Sequence, residues 1–405
     1  MTNIAVMGYG TVGTGVVEVI KTNAALINKR AGKELKIKYV LDLREFPGDP
    51  VQEILTHDFN DILNDPEVEI VVEVMGGVEP AYTFVKKCLL AGKNVATSNK
   101  ALVAKHGAEL QAIAAEKNIN FLFGASVGGG IPIIRPLNSC LTADCIEEIT
   151  GILNGTTNYM LTKMFYEGAD YNEVLKEAQD KGYAERNPEA DVEGHDACRK
   201  IAILSSIVFG KQVDFEDIYT EGISKITKQD MMYAKEMGMT IKLLASGKNM
   251  NGELQASVTP CLISASHPLY NVNDVFNAIF VHGNMLGDAM FYGSGAGKLP
   301  TASAVVADIV EAAKNLNKNL TPGWSEEKIV PLPMAGVDRK FFVRISGNPE
   351  EMQEKLEAVF GEVQIVCVEE LKDEFGFVTN IITEGEYEEK AAGFDGILSR
   401  VRVEA

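Results

Sequence analysis

The sequence predicts an α/β protein built from three parts. These are a doubly wound parallel sheet at the N-terminus, a second mixed α/β domain, and a small ferredoxin-like α+β module at the C-terminus. Three observations carry this. A glycine-rich turn, Gly8 to Gly13, lies directly between an apolar strand and a helix. Strands and helices then alternate as far as Phe123, the pattern of a parallel sheet covered on both faces. From Phe341 onward the order reads βαββαβ.

The first strand is Asn3 to Met7, and a helix follows from Thr14 to Lys21. Between them, Gly8-Tyr9-Gly10-Thr11-Val12-Gly13 is a GxGxxG fingerprint in the setting where it binds a dinucleotide. Gly8 permits the tight turn, Gly10 lets a pyrophosphate approach the backbone, and Gly13 lets the helix lie close to the strand. The helix N-terminus, with Thr11 and Val12, then receives the phosphates. The next strand, Ile37 to Leu41, ends at Asp42, placed to accept the ribose hydroxyls of NAD. Arg44 is placed instead to meet the 2′-phosphate of NADP, so both cofactors stay open. A strand from Val68 to Val74 ends at Met75-Gly76-Gly77, and one from Asn94 to Thr97 ends at Ser98-Asn99-Lys100. Ligands of such sheets bind at the carboxyl ends of the strands, where Gly8, Met75, Gly76, Thr97 and Ser98 fall. Lys105 follows that polar turn, ahead of a helix from Gly107 to Lys117 and a strand from Ile119 to Phe123.

Residues 123–132 (FGASVGGGIP) are glycine-dense and read as the exit from the first domain, 1–130, into the second, 131–300. A polar loop, Thr150 to Asn158, opens a helix near Tyr159 and offers hydrogen-bond groups to a small polar ligand. The segment Gly182 to Ile207 carries the densest chemistry. Its second half is helical, with Ala202, Ile203, Leu204 and Ile207 forming an apolar stripe. Lys200 heads into that stripe and Asp196 lies four residues before it on the same face. A lysine entering an apolar face must keep its charge paired or lose its proton, which makes it fit for proton exchange near neutral pH. Glu185, Glu189, Asp191 and Glu193 crowd the entry to this helix and suit a cationic group. Leu254 to Pro260 and Ala278 to His282 alternate as strands do, and residues 324–338 read as a linker. Within the C-terminal module the strands are Phe341 to Ser346, Val363 to Val368, Phe377 to Thr383 and Ser399 to Val403, with helices from Glu350 and Glu386.

Composition narrows the class. A chain of 405 residues implies about two or three domains. Its net charge of −19 argues against nucleic acid and anionic membranes as partners. The six cysteines are scattered, with no CxxC pair, as in a reduced cytoplasmic protein. With the first strand at Asn3, no secretory leader is expected. No histidine lies in a zinc-binding spacing.

The motifs GYGTVG, MGGVEPA, TSNKAL, ASVGGGIPII, GILNGTTNYML, GYAE…D…DACRK and GSGAGKLPTASAV stand in one order over residues 1–320. Together they closely resemble homoserine dehydrogenase. The resemblance implies a Rossmann-type domain, interconversion of L-aspartate 4-semialdehyde and L-homoserine with NADP or NAD, and a place in threonine, methionine and isoleucine biosynthesis. It implies that Lys200 donates the proton to the aldehyde oxygen and that Lys105 is a second lysine near the nicotinamide. It implies that Glu185 holds the substrate ammonium, that Asp191 and Asp196 line the substrate site, and that Gly155 and Thr156 lie beside the substrate. The loop Gly293 to Pro300, with Gly297, would close on the nicotinamide, and the helix of residues 301–320 would rejoin the first domain. Sheet pairing would give a homodimer or homotetramer. The family commonly has a glutamate, here Gly124, that helps bind a monovalent cation such as sodium; the carbonyls of Val127, Gly129 and Ile131 match its other ligands. Residues 340–405 resemble the ACT domain of many such enzymes. Its usual acidic-Pro-Gly-Val-Leu effector loop is replaced here by Gly347 to Met352, which leaves a threonine-responsive and a purely dimerising role both open. An acylating semialdehyde dehydrogenase would need an activated cysteine, and only Cys198 lies near a histidine, His195, in sequence.

Overall fold

The computed structural model describes residues 1–320 and 323–404. Its N-terminal part is a parallel sheet with strands in the spatial order Leu55–Thr56, Leu35–Leu41, Thr2–Met7, Val68–Glu73, Asn94–Thr97 and Phe121–Leu122. The order reverses between Thr2–Met7 and Val68–Glu73, and a crevice opens at their carboxyl ends. Thr2–Met7 is buried along its whole length, as a strand covered on both faces must be. Ile4 and Val6 point to one layer, with Val16, Ile20, Val305 and Ile309. Ala5 and Met7 point to the other, with Val85, Leu89, Leu102 and Leu110. The helix Lys298–Lys314 returns late in the chain to pack on Thr11–Thr22. Gly15 makes that possible, since a Cβ there would come 2.9 Å from the Cβ of Ala302.

The second sheet is mixed. Its antiparallel part runs Gly287–Ser294, Phe276–Gly283, Ile146–Ile152, Met239–Met250 and Glu253–Ser264. The helices Gly155–Glu167 and His195–Phe209 pack on it. Four C-terminal strands continue the same sheet: Ile397–Val403, Asp338–Ser346, Glu374–Val378 and Gln364–Val366. With the helices Pro349–Phe360 and Glu384–Ala391 they keep the βαββαβ order. The last strand also lies parallel to Glu253–Ser264, pairing Arg402 with Cys261.

The structure departs from the sequence expectations at element ends and in one segment. The helix expected from Gly107 starts at Lys100, because the Asn99 side chain accepts the Leu102 N–H at 3.1 Å. The helix expected near Tyr159 starts at Gly155, where Asn154 caps the Thr157 N–H at 2.9 Å. Residues 324–338 are no free linker. Ser325–Lys328 pairs with Lys211–Gln212, and buried Trp324 donates its indole N–H to Gln212 Oε1 at 2.8 Å while lying against Gly107.

Buried ion pairs weld the C-terminal strands to the second domain. Arg402, 1% exposed, donates to Glu384 Oε2 at 3.0 Å and to Glu221 Oε2 at 2.7 Å. Arg344 bridges Asp230 and Glu374, both at 2.9 Å. Removing one partner of such a pair strands the other charge without water. Arg402→Ala is therefore expected to cost about 3–5 kcal/mol, measured by urea unfolding of the full chain.

Candidate active site

The crevice at the strand ends begins with the glycine turn. Gly8 has φ 100° and a Cβ there would come 2.9 Å from Val74 O; a Cβ on Gly13 would come 2.0 Å from Gly8 O. Both positions need glycine. Gly10 precedes the helix Thr11–Thr22 without a side-chain cap, so the first N–H groups, at exposed Thr11 and half-buried Val12, are left for an anion. Asp42 accepts the Tyr9 N–H at 2.8 Å and two Arg44 donors at 2.9 and 3.0 Å. Hydrogen bonding to Arg44 holds its carboxyl well below the usual carboxylate range. A cavity of about 490 Å³ lies here, lined among others by Gly10, Asp42, Arg44, Met75 and Gly76.

Behind the Met75–Gly76 turn stands Glu73, which sequence reasoning passed over. It is fully buried, and its carboxylate accepts the Met75 N–H at 2.8 Å and the Thr97 hydroxyl at 2.6 Å. Thr97 Oγ1 in turn accepts the Asn99 N–H at 2.9 Å, and Ser98, half-buried, follows it. Burial pushes the Glu73 carboxyl up against these hydrogen bonds. The available signal was an acid directly after the apolar run Ile70-Val71-Val72, at the end of a strand.

Across the crevice the two domains meet at one carboxylate. Asp196, 4% exposed, accepts Lys200 Nζ at 2.7 Å and Asn154 Nδ2 at 2.9 Å on Oδ2. Its Oδ1 accepts the ammonium of Lys100, which arrives from the first domain. Lys200 Nζ also donates to Leu153 O at 2.7 Å, and Asn154 Nδ2 reaches Asp191 Oδ1 at 2.7 Å. Burial lowers the Lys200 pKa, opposed by the charge of Asp196 and reinforced by that of Lys100. Burial acts upward on Asp196, but the charges of Lys200 and Lys100 outweigh it and keep the carboxyl ionised. Burial raises the Asp191 pKa.

Lys100 thus occupies the place that the sequence reading gave to Lys105. Lys105 lies five residues along the same helix, ~140° further round. It is exposed there and makes no ion pair among the described residues. The miss follows from the helix start: with the helix drawn from Gly107, Lys100 belonged to a turn. Glu185 is exposed at the mouth, its backbone carbonyl accepting Gln179 Nε2 at 3.1 Å. Thr156 Oγ1 donates to Tyr183 O at 2.5 Å, and a Cβ on Gly155 would come 2.7 Å from Val275 O. Gly297, φ 121°, precedes the helix Lys298–Lys314 in an exposed stretch.

The residues around Gly124 do not fit the expected cation. The Gly124 N–H donates to Asp308 Oδ2 at 2.7 Å, and Asp308 Oδ1 accepts Arg135 Nη2 at 2.9 Å. The carboxylate nearest Gly124 is therefore already balanced by a guanidinium, and burial lifts its pKa to about 6. Val127, Gly129 and Ile131 are buried, and the Ile131 carbonyl accepts the Ile133 N–H at 3.0 Å. Among the described residues no group of three or more His, Cys, Asp or Glu gathers as a metal site.

A family model described as "Homoserine dehydrogenase, NAD binding domain" matches residues 8–124, and one described as "Homoserine dehydrogenase" matches 132–310. The homoserine dehydrogenase of Bacillus subtilis is 42% identical over 89% of this chain and 84% of its own length. The chain belongs to the homoserine dehydrogenase family. That of Synechocystis is 45% identical over 76% of this chain and 72% of its own. Among solved structures, a homoserine dehydrogenase from Thiobacillus denitrificans superposes with a TM-score of 0.90 at 36% identity, covering 100% of this chain and 98% of that one. A hyperthermophilic archaeal homoserine dehydrogenase in complex with NADPH gives a TM-score of 0.66 at 28% identity, covering 77% of this chain and 97% of that one. Homoserine dehydrogenases interconvert L-aspartate 4-semialdehyde and L-homoserine with a nicotinamide cofactor, and that is the reaction of this chain. No helix among the described residues is long and apolar enough to cross a membrane.

Glu73 ties the Met75–Gly76 turn to the end of the neighbouring strand through Thr97. Glu73→Ala is expected to lose about 1–3 kcal/mol of stability from the unpaired amide and hydroxyl groups. It should also bind the nicotinamide cofactor more weakly, which thermal unfolding with and without NADH or NADPH would register.

Proposed function

We propose that Lys200 and Lys100, joined through Asp196, handle the proton of the homoserine–semialdehyde interconversion. The observation that carries this is one buried carboxylate shared by two lysines from the two sides of the crevice. The nicotinamide cofactor exchanges the hydride with the substrate carbon. In the reducing direction the aldehyde oxygen becomes alkoxide-like, and the Lys200 ammonium donates to it. In the oxidising direction the neutral amine accepts the hydroxyl proton, a role that its lowered pKa suits. The Lys100 side chain is 41% exposed against 10% for Lys200. It adds a second positive charge facing the developing alkoxide. Lys105 has no part in this reading.

The remaining residues serve binding. Glu185 and Asp191 form an acidic wall for the substrate ammonium. Gly155 and Thr156, at the start of a thirteen-residue helix, offer N–H groups to the substrate carboxylate. The loop ending at Gly297 covers the nicotinamide side. Arg44 already balances Asp42 and its side chain is 61% exposed, which favours NADP while leaving NAD usable. Sodium has no role here, since Arg135 balances Asp308. Met285, Leu286, Met290 and Tyr292 expose apolar surface on the edge hairpin, which fits a homodimer or homotetramer. Residues 340–405 serve as an ACT-like regulatory domain, with Arg402 linking it to Glu221 beside the second domain. The enzyme works in the cytoplasm, in threonine, methionine and isoleucine biosynthesis.

Lys200→Ala and Lys100→Ala should each lower kcat roughly 10²–10⁴-fold, with NADPH binding kept. Lys105→Ala, a surface change, should stay within about twofold. Steady-state rates of NADPH formation from homoserine decide; loss of rate in Lys105→Ala with Lys100→Ala near wild type would overturn the assignment.

A further inference from the structure

The strand Phe276–Gly283 turns Asn277 inward, where its side chain is 1% exposed. Neither Nδ2 nor Oδ1 has a hydrogen-bond partner, and among the described residues it is the one side chain with two such orphaned atoms. Buried polar groups are nearly always paired, and an amide left without partners is costly to keep in a folded core. An apolar side chain of the same shape would cost less in this state. The amide earns its place only where it finds partners.

Its neighbours are parts of the active site. A Cβ on Gly295 would lie 2.1 Å from Asn277 Nδ2 and 2.6 Å from Oδ1, so the amide lies flat against the Gly295 backbone. On its other flank, Oδ1 lies 3.5 Å from the Cβ position of Gly155, the first residue of the helix that carries Thr156. The loop Gly293–Gly297 is fastened on its far side, where the Gly130 N–H donates to Ser294 O at 3.1 Å. On the Asn277 side its first two residues are held by the strand ladder, Gly293 opposite Asn277 and Ser294 opposite Phe276, and no hydrogen bond from the Asn277 side chain reaches Gly295 to Gly297. Three of its five residues are glycine, so its peptides can reorient at little steric cost. Ser294 O is held by the Gly130 N–H and Gly295 O lies toward Gly129, so a turn of the Gly295–Ala296 peptide is what would bring a carbonyl to the amide beside the Gly295 N–H.

We propose that Asn277 is a positioning residue: once cofactor and substrate are bound, its amide pairs with the backbone at Gly295 and pins the Gly293–Gly297 loop against the N-terminus of the Gly155 helix. The inference rests on the proposed placing of substrate and nicotinamide between that helix and that loop. In this structure the amide has no partner; in the proposed complex it has two. Asn277 touches no reacting atom.

The test is Asn277→Leu, which keeps the approximate shape and removes both polar atoms. The melting temperature of the ligand-free variant is expected to equal or exceed that of wild type. The rise in melting temperature on adding NADPH with homoserine should be smaller than in wild type. The KM for homoserine should rise about tenfold, the equivalent of about 1.4 kcal/mol, with a lesser change in kcat. A ligand-free variant that melts lower but keeps the full ligand-induced rise and KM would show the amide to be only structural and overturn the proposal, as would no change in any of the three. Should the leucine variant fail to fold, Asn277→Ala is read by its ligand-induced rise alone. Wild-type turnover of homoserine in the same assay separates the two levels: its absence would overturn the placing of the substrate itself, whereas an active wild type with an unaltered variant would overturn only the role of Asn277.

Discussion

Asp196 sits where two domains and two cations meet. Alone, a carboxylate buried to this depth would take up a proton or unfold its surroundings. Here Lys200 comes from its own helix, Lys100 from the helix that starts at the end of a strand in the other domain, and the Asn154 amide from a helix cap. The three donors keep it ionised, and it holds two ammonium groups at one point. Every other feature of the site can be ordered by what it does for that arrangement. The helix Lys100–Glu116 packs against His195–Phe209, so the lysine and the aspartate are carried on elements in direct contact. Lys100 is the first residue of its helix because Asn99 caps it, and Asn99 is itself held by Thr97, which Glu73 anchors. A chain of buried hydrogen bonds thus runs from the Met75 turn to the cap of the helix that bears Lys100.

The glycines serve the same end by letting backbones approach. Gly13 lies on Gly8, Gly155 on Val275 and Gly295 on Asn277, each closer than a side chain would permit. These contacts bring the glycine turn, the helix from Gly155 and the loop around Gly295 close to their neighbours. The C-terminal strands share the sheet that supports it, and their arginines end on Glu221, next to the segment whose Ile223 N–H donates to Val192 O at 2.8 Å. Val192 lies just ahead of the His195–Phe209 helix. A physical route therefore joins the C-terminal module to the helix that bears Asp196 and Lys200.

Much of this was legible in the residues. The glycine fingerprint, the strand-end turns at Met75 and Thr97, the Asp196–Lys200 spacing and the βαββαβ order all rest on local rules, and the structure keeps them. What escaped depends on where elements begin or on partners far away in sequence. The choice of Lys105 rests on the resemblance alone, with the helix drawn from Gly107; the Asn99 cap makes Lys100 the first residue of that helix, ~140° round from Lys105. Glu73 looked like one more strand residue, because its partners at Met75 and Thr97 meet only when two strands align. Residues 324–338 lack alternation, so nothing local announced that Trp324 would bury itself against Gly107. Asp308 occupies the space left by Gly124 from a helix 184 residues away, a compensation that no local pattern carries.

The most direct measurement is the pH dependence of kcat/KM for homoserine oxidation in wild type and Asp196→Asn. In wild type the rate rises with pH as the buried amine loses its proton. The charge of Asp196 favours the Lys200 ammonium while burial disfavours it. Removing that charge leaves burial less opposed, so the rise should move to lower pH while the maximum falls. A rise that stays in place, or moves to higher pH, would contradict the account in which Asp196 sets the proton affinity of the catalytic lysine.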